Sequence, residues 1–214
     1  SKNAKIIHTG NPLRKEIASL ATRPRNIRES SQRLRILVLG GSQGALAINE
    51  VIPAVLAGFP KEIRPSVRHQ TGERTLERAQ AAYANKGLDS KDDITIAAFI
   101  SDMAEAYSWA DLVICRSGAS TVSEIAAVGL PSILIPYPHH SDQQQTHNAN
   151  WLVQAGAAFL LEQNGLTATS LKALILGLHE NRGKLQQMSD ISKSIAICDA
   201  GEIIARRCLE LAHA

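Results

Sequence analysis

The sequence predicts an α/β fold built on a parallel sheet, and three observations carry that prediction. Six short strand candidates recur, most of them apolar runs, and they alternate with helical stretches. The runs are continuous rather than alternating, as in Leu112-Val113-Ile114-Cys115, which is the pattern of strands buried on both faces. The Gly- and Ser-rich turns and the aromatic and amide clusters fall just after strands, not before them. In a parallel sheet that gathers them on one edge, where such folds bind ligands. Together these make a Rossmann-like parallel six-stranded sheet with helices on both faces.

Taken in order, Lys5–His8 reads as a short strand and Gly10-Asn11-Pro12 as a turn. Thr22–Gln32 has no apolar periodicity and reads as an exposed connection. Ile36–Leu39 is the first strand of the regular pattern. It ends in Gly40-Gly41-Ser42-Gln43-Gly44-Ala45, and a helix follows to about Leu56. Val67–Gln70 is stopped by Thr71-Gly72, and Glu73–Asn85 forms a helix closed by Gly87. Ile94–Ala98 leads through Phe99-Ile100-Ser101-Asp102 to a short helix, Met103–Trp109. Leu112–Cys115 turns at Arg116–Ser120 into the helix Thr121–Val128, with Gly129 at its stop and Pro131 beyond. Ser132–Ile135 opens into the Pro136–Ser141 loop and a helix from about Asp142 to Gln154. Ala157–Leu161 is the sixth strand, and Thr167–Ala212 is mostly helical. The division expected is an N-terminal segment and basic linker over residues 1–34, then one Rossmann-like domain over 35–214.

Composition narrows the function. The 214 residues are 44% hydrophobic and 20% charged, ordinary for a globular protein with a real core. Aromatics are only 4%, too few for base-stacking platforms, so no nucleic acid is expected as a partner. The net charge is +3, but residues 1–35 hold nine Lys or Arg against Glu16 and Glu29. That stretch suits an anionic membrane surface or nucleic acid, and more simply a solvated linker. Cys115, Cys198 and Cys208 are odd in number and lack metal-ligand spacing, which suits a reduced, cytoplasmic protein. No run approaches the ~18 apolar residues of a membrane span. The chain opens at Ser1 without a methionine and reads as a piece of a longer protein.

The Leu112–Val128 strand–turn–helix is the centre of the functional reading. A helix N-terminus preceded by Ser117, Gly118 and Ser120 aims amide N–H groups and a positive dipole end at one point, a seat for a phosphate. Glu124, one turn in, is placed for a neighbouring sugar. As a purely structural alternative, Thr121-x-x-Glu124 is a capping box. Gly40–Gly44 is neither G-x-G-x-x-G nor a P-loop, but its glycines let backbone N–H groups approach an anion and Ser42 adds a hydroxyl. No acidic residue ends the second strand, which argues against a dinucleotide site. Phe99 and Ile100 either wall a flat base or are core residues. Asp142-Gln143-Gln144-Gln145 either reads sugar hydroxyls or is a polar helix entrance capped by Asp142. His139, His140 and His147 match no standard metal spacing, and there is no Asp-x-Asp to carry a metal-bound diphosphate.

Five motifs then agree in order: Gly10-Asn11-Pro12-Leu13-Arg14; Gly40-Gly41-Ser42-Gln43-Gly44-Ala45; Phe99-Ile100-Ser101-Asp102-Met103; Arg116-Ser117-Gly118-Ala119 with Thr121-Val122-Ser123-Glu124; and Asp142-x-Gln144-Gln145-x-x-Asn148-Ala149. Together they closely resemble the MurG family of bacterial peptidoglycan glycosyltransferases, in its C-terminal half. The resemblance implies one half of a two-domain GT-B enzyme that moves GlcNAc from UDP-GlcNAc to lipid I with inversion, giving lipid II at the inner face of the cytoplasmic membrane. It implies Arg14, Ser42 and Gly41 at the diphosphate, Ile100 with Phe99 at the uracil, Ala119 and Thr121 at the helix start, Glu124 on the ribose, and Gln144 and Gln145 on the GlcNAc. Ser120 and the Pro138–Ser141 loop are where variation from the family pattern is expected. The resemblance implies no bound cofactor or metal, and a catalytic base on the acceptor-side domain. Another UDP-sugar transferase of the same build, or a nucleotide-binding module without chemistry, are the alternatives.

Overall fold

A computed structural model describes residue 7 and residues 9–41, 45–139 and 142–212. Strands β1 (Arg35–Leu39), β2 (Ser66–Gln70), β3 (Ile94–Ala97), β4 (Leu112–Cys115), β5 (Ser132–Leu134) and β6 (Ala158–Leu160) form one parallel sheet in the order β3-β2-β1-β4-β5-β6. Each lies within a residue of its expected span. The helices among the described residues are α1 (Lys15–Ala21), α2 (Leu46–Ala57), α3 (Leu76–Ala84), α4 (Met103–Trp109), α5 (Ala119–Val128), α6 (Gln144–Ala155), α7 (Ala168–Glu180), α8 (Arg182–Ser194) and α9 (Ala200–Ala212). The expected Glu73–Asn85 helix begins as a 3₁₀ turn, Glu73–Thr75, before α3.

Strand alternation sorts the core into two layers. Successive side chains point to opposite faces, so Ile36, Val38, Leu112, Ile114 and Ile133 pack with α2 and α7. Leu37, Leu39, Val113, Cys115 and Leu134 pack on the other face with α1, α4, α5 and α6. Both faces are covered, which is why β4 and most of β1 read as unbroken apolar runs, whereas β2 carries Arg68, His69 and Gln70.

The N-terminal segment departs from its expectation as a solvated linker and exposed connection. Ile17 of α1 is fully buried in the second core layer, and α1 packs on α5. Arg25 lies across two helix ends: its Nη2 and Nη1 donate to Tyr107 O and Ala110 O at 2.6 Å, and its Nε to Val128 O at 3.1 Å. These are carbonyls at the ends of α4 and α5, where no intrahelical donor is left for them. A cation there also meets the negative dipole ends. Burial pushes the Arg25 guanidinium down to about 10, against Asp111, so it stays charged in neutral solution. Arg28 donates from Nε and Nη2 to Asp111 Oδ2 at 3.1 Å, an oxygen that also accepts from Arg35 N at 2.8 Å. Basic residues that look like linker from composition act here as backbone ligands. Apolar periodicity could not reveal this, because the segment docks mainly through guanidinium groups.

A second buried polar network joins β2 to α2 and α3. Asn49 Nδ2 donates to Thr71 O at 2.9 Å and to Thr75 Oγ1 at 3.0 Å, so its Oδ1 faces His69 Nε2 at 3.0 Å. His69 Nε2 is therefore the donor, and Nδ1 accepts from Tyr83 OH at 2.9 Å. Burial lowers the His69 pKa from 6.5 to about 3.

Two predictions follow from these networks. Replacing Arg25 by Met strands three carbonyls and should cost about 2–4 kcal/mol of unfolding free energy in urea titration. A mutant within 0.5 kcal/mol would show that water satisfies those carbonyls. For His69 the folded-state pKa lies below the unfolded one, so the unfolded chain binds the extra proton. The neutral ring's stabilisation is complete above pH 6.5 and is lost as pH falls toward 3. Between pH 7 and pH 4 the unmodified chain should lose on the order of 2–3 kcal/mol more than His69→Gln does. Parallel pH curves for the two would contradict the buried neutral imidazole.

Candidate functional site

The strand order reverses direction between β1 and β4, so the chains leaving these two neighbours diverge and open a crevice at their carboxyl ends. Gly40 closes β1 tightly. Its N–H donates to Gln70 O at 2.8 Å, and a Cβ would lie 3.0 Å from both Asn49 Oδ1 and Gln70 O. Gly41 takes φ +72, a conformation that favours glycine. Ser42, with Gln43 and Gly44, lies outside the described residues, so its expected place at the diphosphate is not addressed by the geometry. An open concavity of about 560 Å³ lies here, with Gly40, Ala45, Arg116, Tyr137, Gln145 and Gln163 among its lining.

Across the crevice, α5 begins two residues earlier than expected. Gly118 occupies the N-cap with no side-chain hydrogen bond, and the first intrahelical bond runs from Val122 N to Gly118 O at 2.9 Å. The N–H groups of Ala119, Ser120 and Thr121 precede that bond, and Ala119 and Ser120 are exposed. This open end of α5 has the features of an anion seat. The turn before it is rigid. Ser117 is buried, donates through Oγ to Gln145 O at 2.7 Å, and its carbonyl accepts from Asn148 Nδ2 at 3.1 Å. Arg116 is scaffold: it donates to Ile135 O, Pro136 O and Gln163 Oε1 at 3.0, 2.9 and 2.6 Å, and burial lowers its pKa.

The capping-box alternative for Thr121 and Glu124 is overturned. With Gly118 at the cap, Glu124 sits too far into the helix to reach back to the cap amide. Its carboxylate is held by two other elements instead. Arg14 Nε donates to Oε1 at 2.9 Å and Tyr107 OH to Oε2 at 3.0 Å. The hydrogen bond to Glu124 raises the Arg14 pKa above its ordinary value, against partial burial. Asn11 Nδ2 donates to Ser123 Oγ at 2.9 Å and to Ala119 O at 3.4 Å. The segment before α1 therefore lies along the first turns of α5 and delivers Arg14 to the site. The Arg14 and Glu124 side chains are 46% and 13% exposed, so the ion pair itself contributes about 0–1 kcal/mol to stability. Its weight is positional.

The remaining expected residues are more spread. Gln144 is exposed at the start of α6. Gln145 spends its Oε1 on Tyr137 N at 2.9 Å, which leaves its amide NH₂. The N-cap position of α6 belongs to Gln143 at φ +50 rather than to Asp142, although Asp142 Oδ1 accepts from Gln144 N at 3.2 Å. Phe99 is 67% exposed, which removes its core reading, while Ile100 is partly buried against the second core layer. Arg14, Ala119, Thr121 and Glu124 thus lie together along α5, and Gly41 and Gln145 border the β1–β4 crevice. Phe99 and Ile100 follow the edge strand β3, without a described hydrogen bond to the others. Tyr107 and Asn11 escaped the sequence reading as site residues. Tyr107 sits in a short helix whose spacing signals only core, and Asn11 reads as turn chemistry. Among the described residues no group of three His, Cys, Asp or Glu is disposed to hold a metal ion.

Comparison with known proteins gives the family. The glycosyltransferase family 28 C-terminal domain matches residues 35–202. The chain belongs to glycosyltransferase family 28. The transferase of Marinobacter nauticus named UDP-N-acetylglucosamine–N-acetylmuramyl-(pentapeptide) pyrophosphoryl-undecaprenol N-acetylglucosamine transferase is 46% identical over 96% of this chain and 55% of its own length. The like-named protein of Shewanella sp. strain MR-4 is 44% identical over 98% of this chain and 56% of its own. The crystal structure of Acinetobacter baumannii MurG superposes with a TM-score of 0.76 at 37% identity, covering 86% of this chain and 55% of that one. The family 28 chain therefore spans about half the length of the relatives it matches, and the domain matched is their C-terminal one. UDP-GlcNAc 2-epimerase from Neisseria meningitidis, at TM-score 0.57 and 13% identity, shares the fold alone.

The two glycines that frame the crevice make opposite demands. Gly40→Ala forces a Cβ against a backbone oxygen and a networked amide, and should cost about 1–3 kcal/mol in denaturant unfolding. Gly118→Ala meets nothing nearer than Thr121 Oγ1 at 3.8 Å and should cost only about 0.5 kcal/mol, the N-cap preference of Gly over Ala. Equal costs for the two would contradict the tight closure at β1.

Proposed function

We propose that this chain is the donor-binding half of an inverting glycosyltransferase that moves GlcNAc from UDP-GlcNAc to lipid I, giving lipid II for peptidoglycan. The observation that carries the proposal is the Glu124 carboxylate, held by Arg14 on a helix whose N-terminus has no side-chain cap and follows the carboxyl end of β4. A nucleoside diphosphate laid along α5 places its ribose hydroxyls at Glu124 and its phosphates toward the N–H groups of Ala119, Ser120 and Thr121. Five residues separate Ala119 from Glu124, a rise of about 7.5 Å along the axis. Relatives named for this transfer share the chain at up to 46% identity.

In this reading the residues divide the work by charge. Breaking the sugar–phosphate bond leaves negative charge on UDP, which Arg14 and the α5 N-terminus are disposed to stabilise without a metal ion. Glu124 accepts from the ribose hydroxyls, and Gly41 with Ser42 lets backbone N–H groups approach the diphosphate. Phe99 and Ile100 supply an apolar wall for the uracil. Gln144 and the NH₂ of Gln145 meet the sugar hydroxyls. The base that takes the proton from the acceptor hydroxyl, and the contacts to lipid I at the cytoplasmic membrane face, belong to the other half of the enzyme. No helix among the described residues is long and apolar enough to cross a membrane.

Calorimetric titration tests the reading. The 214-residue chain should bind UDP and UDP-GlcNAc in EDTA-containing buffer, prefer UDP-GlcNAc to UDP-glucose, and transfer nothing to lipid I. Glu124→Gln should weaken UDP by about 1.5–3 kcal/mol, because an amide offers one acceptor where two hydroxyls need two. Turnover by the chain alone would refute the division of labour. Unchanged UDP affinity in the variant would refute the ribose role.

A further inference from the structure

A carboxylate that recognises two adjacent hydroxyls needs one free acceptor position on each oxygen and a defined plane. Glu124 has four lone-pair positions. Arg14 Nε takes one on Oε1 and Tyr107 OH takes one on Oε2, which leaves one on each oxygen. The two holders differ in kind. Arg14 is 46% exposed on a segment outside the sheet, and among the described residues nothing pairs its terminal nitrogens. They remain available to an anion. Tyr107 is 1% exposed, and its ring packs in the second core layer with Val122 and Ile125 of α5. It is the anchored donor of the two.

We propose that Tyr107 is a positioning residue for nucleotide recognition: its buried hydroxyl pins one oxygen of Glu124, so that the carboxylate keeps its plane when Arg14 turns its terminal nitrogens to a diphosphate. The proposal rests on the ribose role of Glu124. An ionised carboxylate accepts only, so the phenol must donate. Burial first, then the neighbouring Glu124 charge, raises the Tyr107 pKa well above the ordinary phenol value, so the phenol keeps its donor proton in neutral solution. A tyrosine serving only the core would be satisfied by any acceptor. This one is spent on the single acidic side chain of α5 that faces Arg14, and it comes from a different helix.

The test is the discrimination between UDP and 2′-deoxy-UDP, measured by titration on the 214-residue chain, Tyr107→Phe, Tyr83→Phe and Glu124→Gln. Tyr107→Phe removes only the hydroxyl. It should weaken UDP about 3–10-fold and 2′-deoxy-UDP less than about 2-fold, so that the preference for the ribose form narrows. Tyr83→Phe removes a buried hydroxyl bonded to His69, far from α5 in sequence, and should lower the melting temperature without touching that preference. Equal weakening of both ligands by Tyr107→Phe, or none, would make Tyr107 a core residue only and overturn the proposal. The ribose reading fails separately, if the unmodified chain shows no preference or Glu124→Gln retains it. Glu124→Asp guards against a Tyr107→Phe chain that does not fold. It keeps the charge but withdraws the carboxylate by one methylene from both holders, and should lose most of the preference. Full preference in Glu124→Asp would show that an unheld carboxylate suffices, and would also overturn the proposal.

Discussion

The arrangement depends on how residues 11–28 are held against α4 and α5. Helix C-termini leave carbonyls without donors, and here those of α4 and α5 meet the single guanidinium of Arg25. Asp111, at the amino end of β4, receives Arg28. With the segment fixed at that end by Arg25 and Arg28 and at the other by Asn11 on Ser123, Arg14 is brought to Glu124. A residue more than a hundred positions away in sequence thus completes the α5 site. The contact costs little to break, yet its geometry is enforced by buried bonds elsewhere.

The sheet supplies the complementary constraint. Both faces are covered, so each strand end must be closed without spare volume, and the glycine after β1 meets that demand against Gln70 and Asn49. Asn49 in turn belongs to the His69–Tyr83 network. That polar cluster under α2 and α3 lies directly behind Gly40. On the other side, Ser117, Asn148 and Arg116 spend their side chains on backbone groups of the neighbouring loop and helix. Rigid scaffolding around an open helix N-terminus is what a site needs in order to aim fixed dipoles at a charge.

This division of labour bears on the proposed chemistry. Arg116 is a second cation after β4, yet its terminal nitrogens donate to carbonyls after β5 and to Gln163 after β6. Arg14 retains its terminal nitrogens. In the proposed function a nucleoside diphosphate meets one half-exposed cation, one helix N-terminus without a side-chain cap and one held carboxylate. Membership of family 28 rests on the matched domain and on relatives about twice as long, whose transfer reaction supplies the context for such a half-site.

The sheet was legible in the sequence because burial on both faces leaves an unmistakable apolar run, and the turns that end those runs carry glycine and serine for stereochemical reasons. Leu112–Cys115 and Met103–Trp109 needed nothing more than local pattern. The motifs along Gly40–Ala45, Arg116–Glu124 and Asp142–Asn148 were likewise visible, and with them the family. Tertiary structure alone decided what Glu124 touches, that Gly118 rather than a side chain begins α5, and that the Tyr107 hydroxyl reaches Glu124. It also took Arg25 and Arg28 from an expected solvated linker and set them on helix-end carbonyls and on Asp111. The reason is physical: apolar burial repeats with the period of the element and so is written locally, whereas a guanidinium or a phenol finds its acceptor across the fold, and one residue of its type carries no period to read.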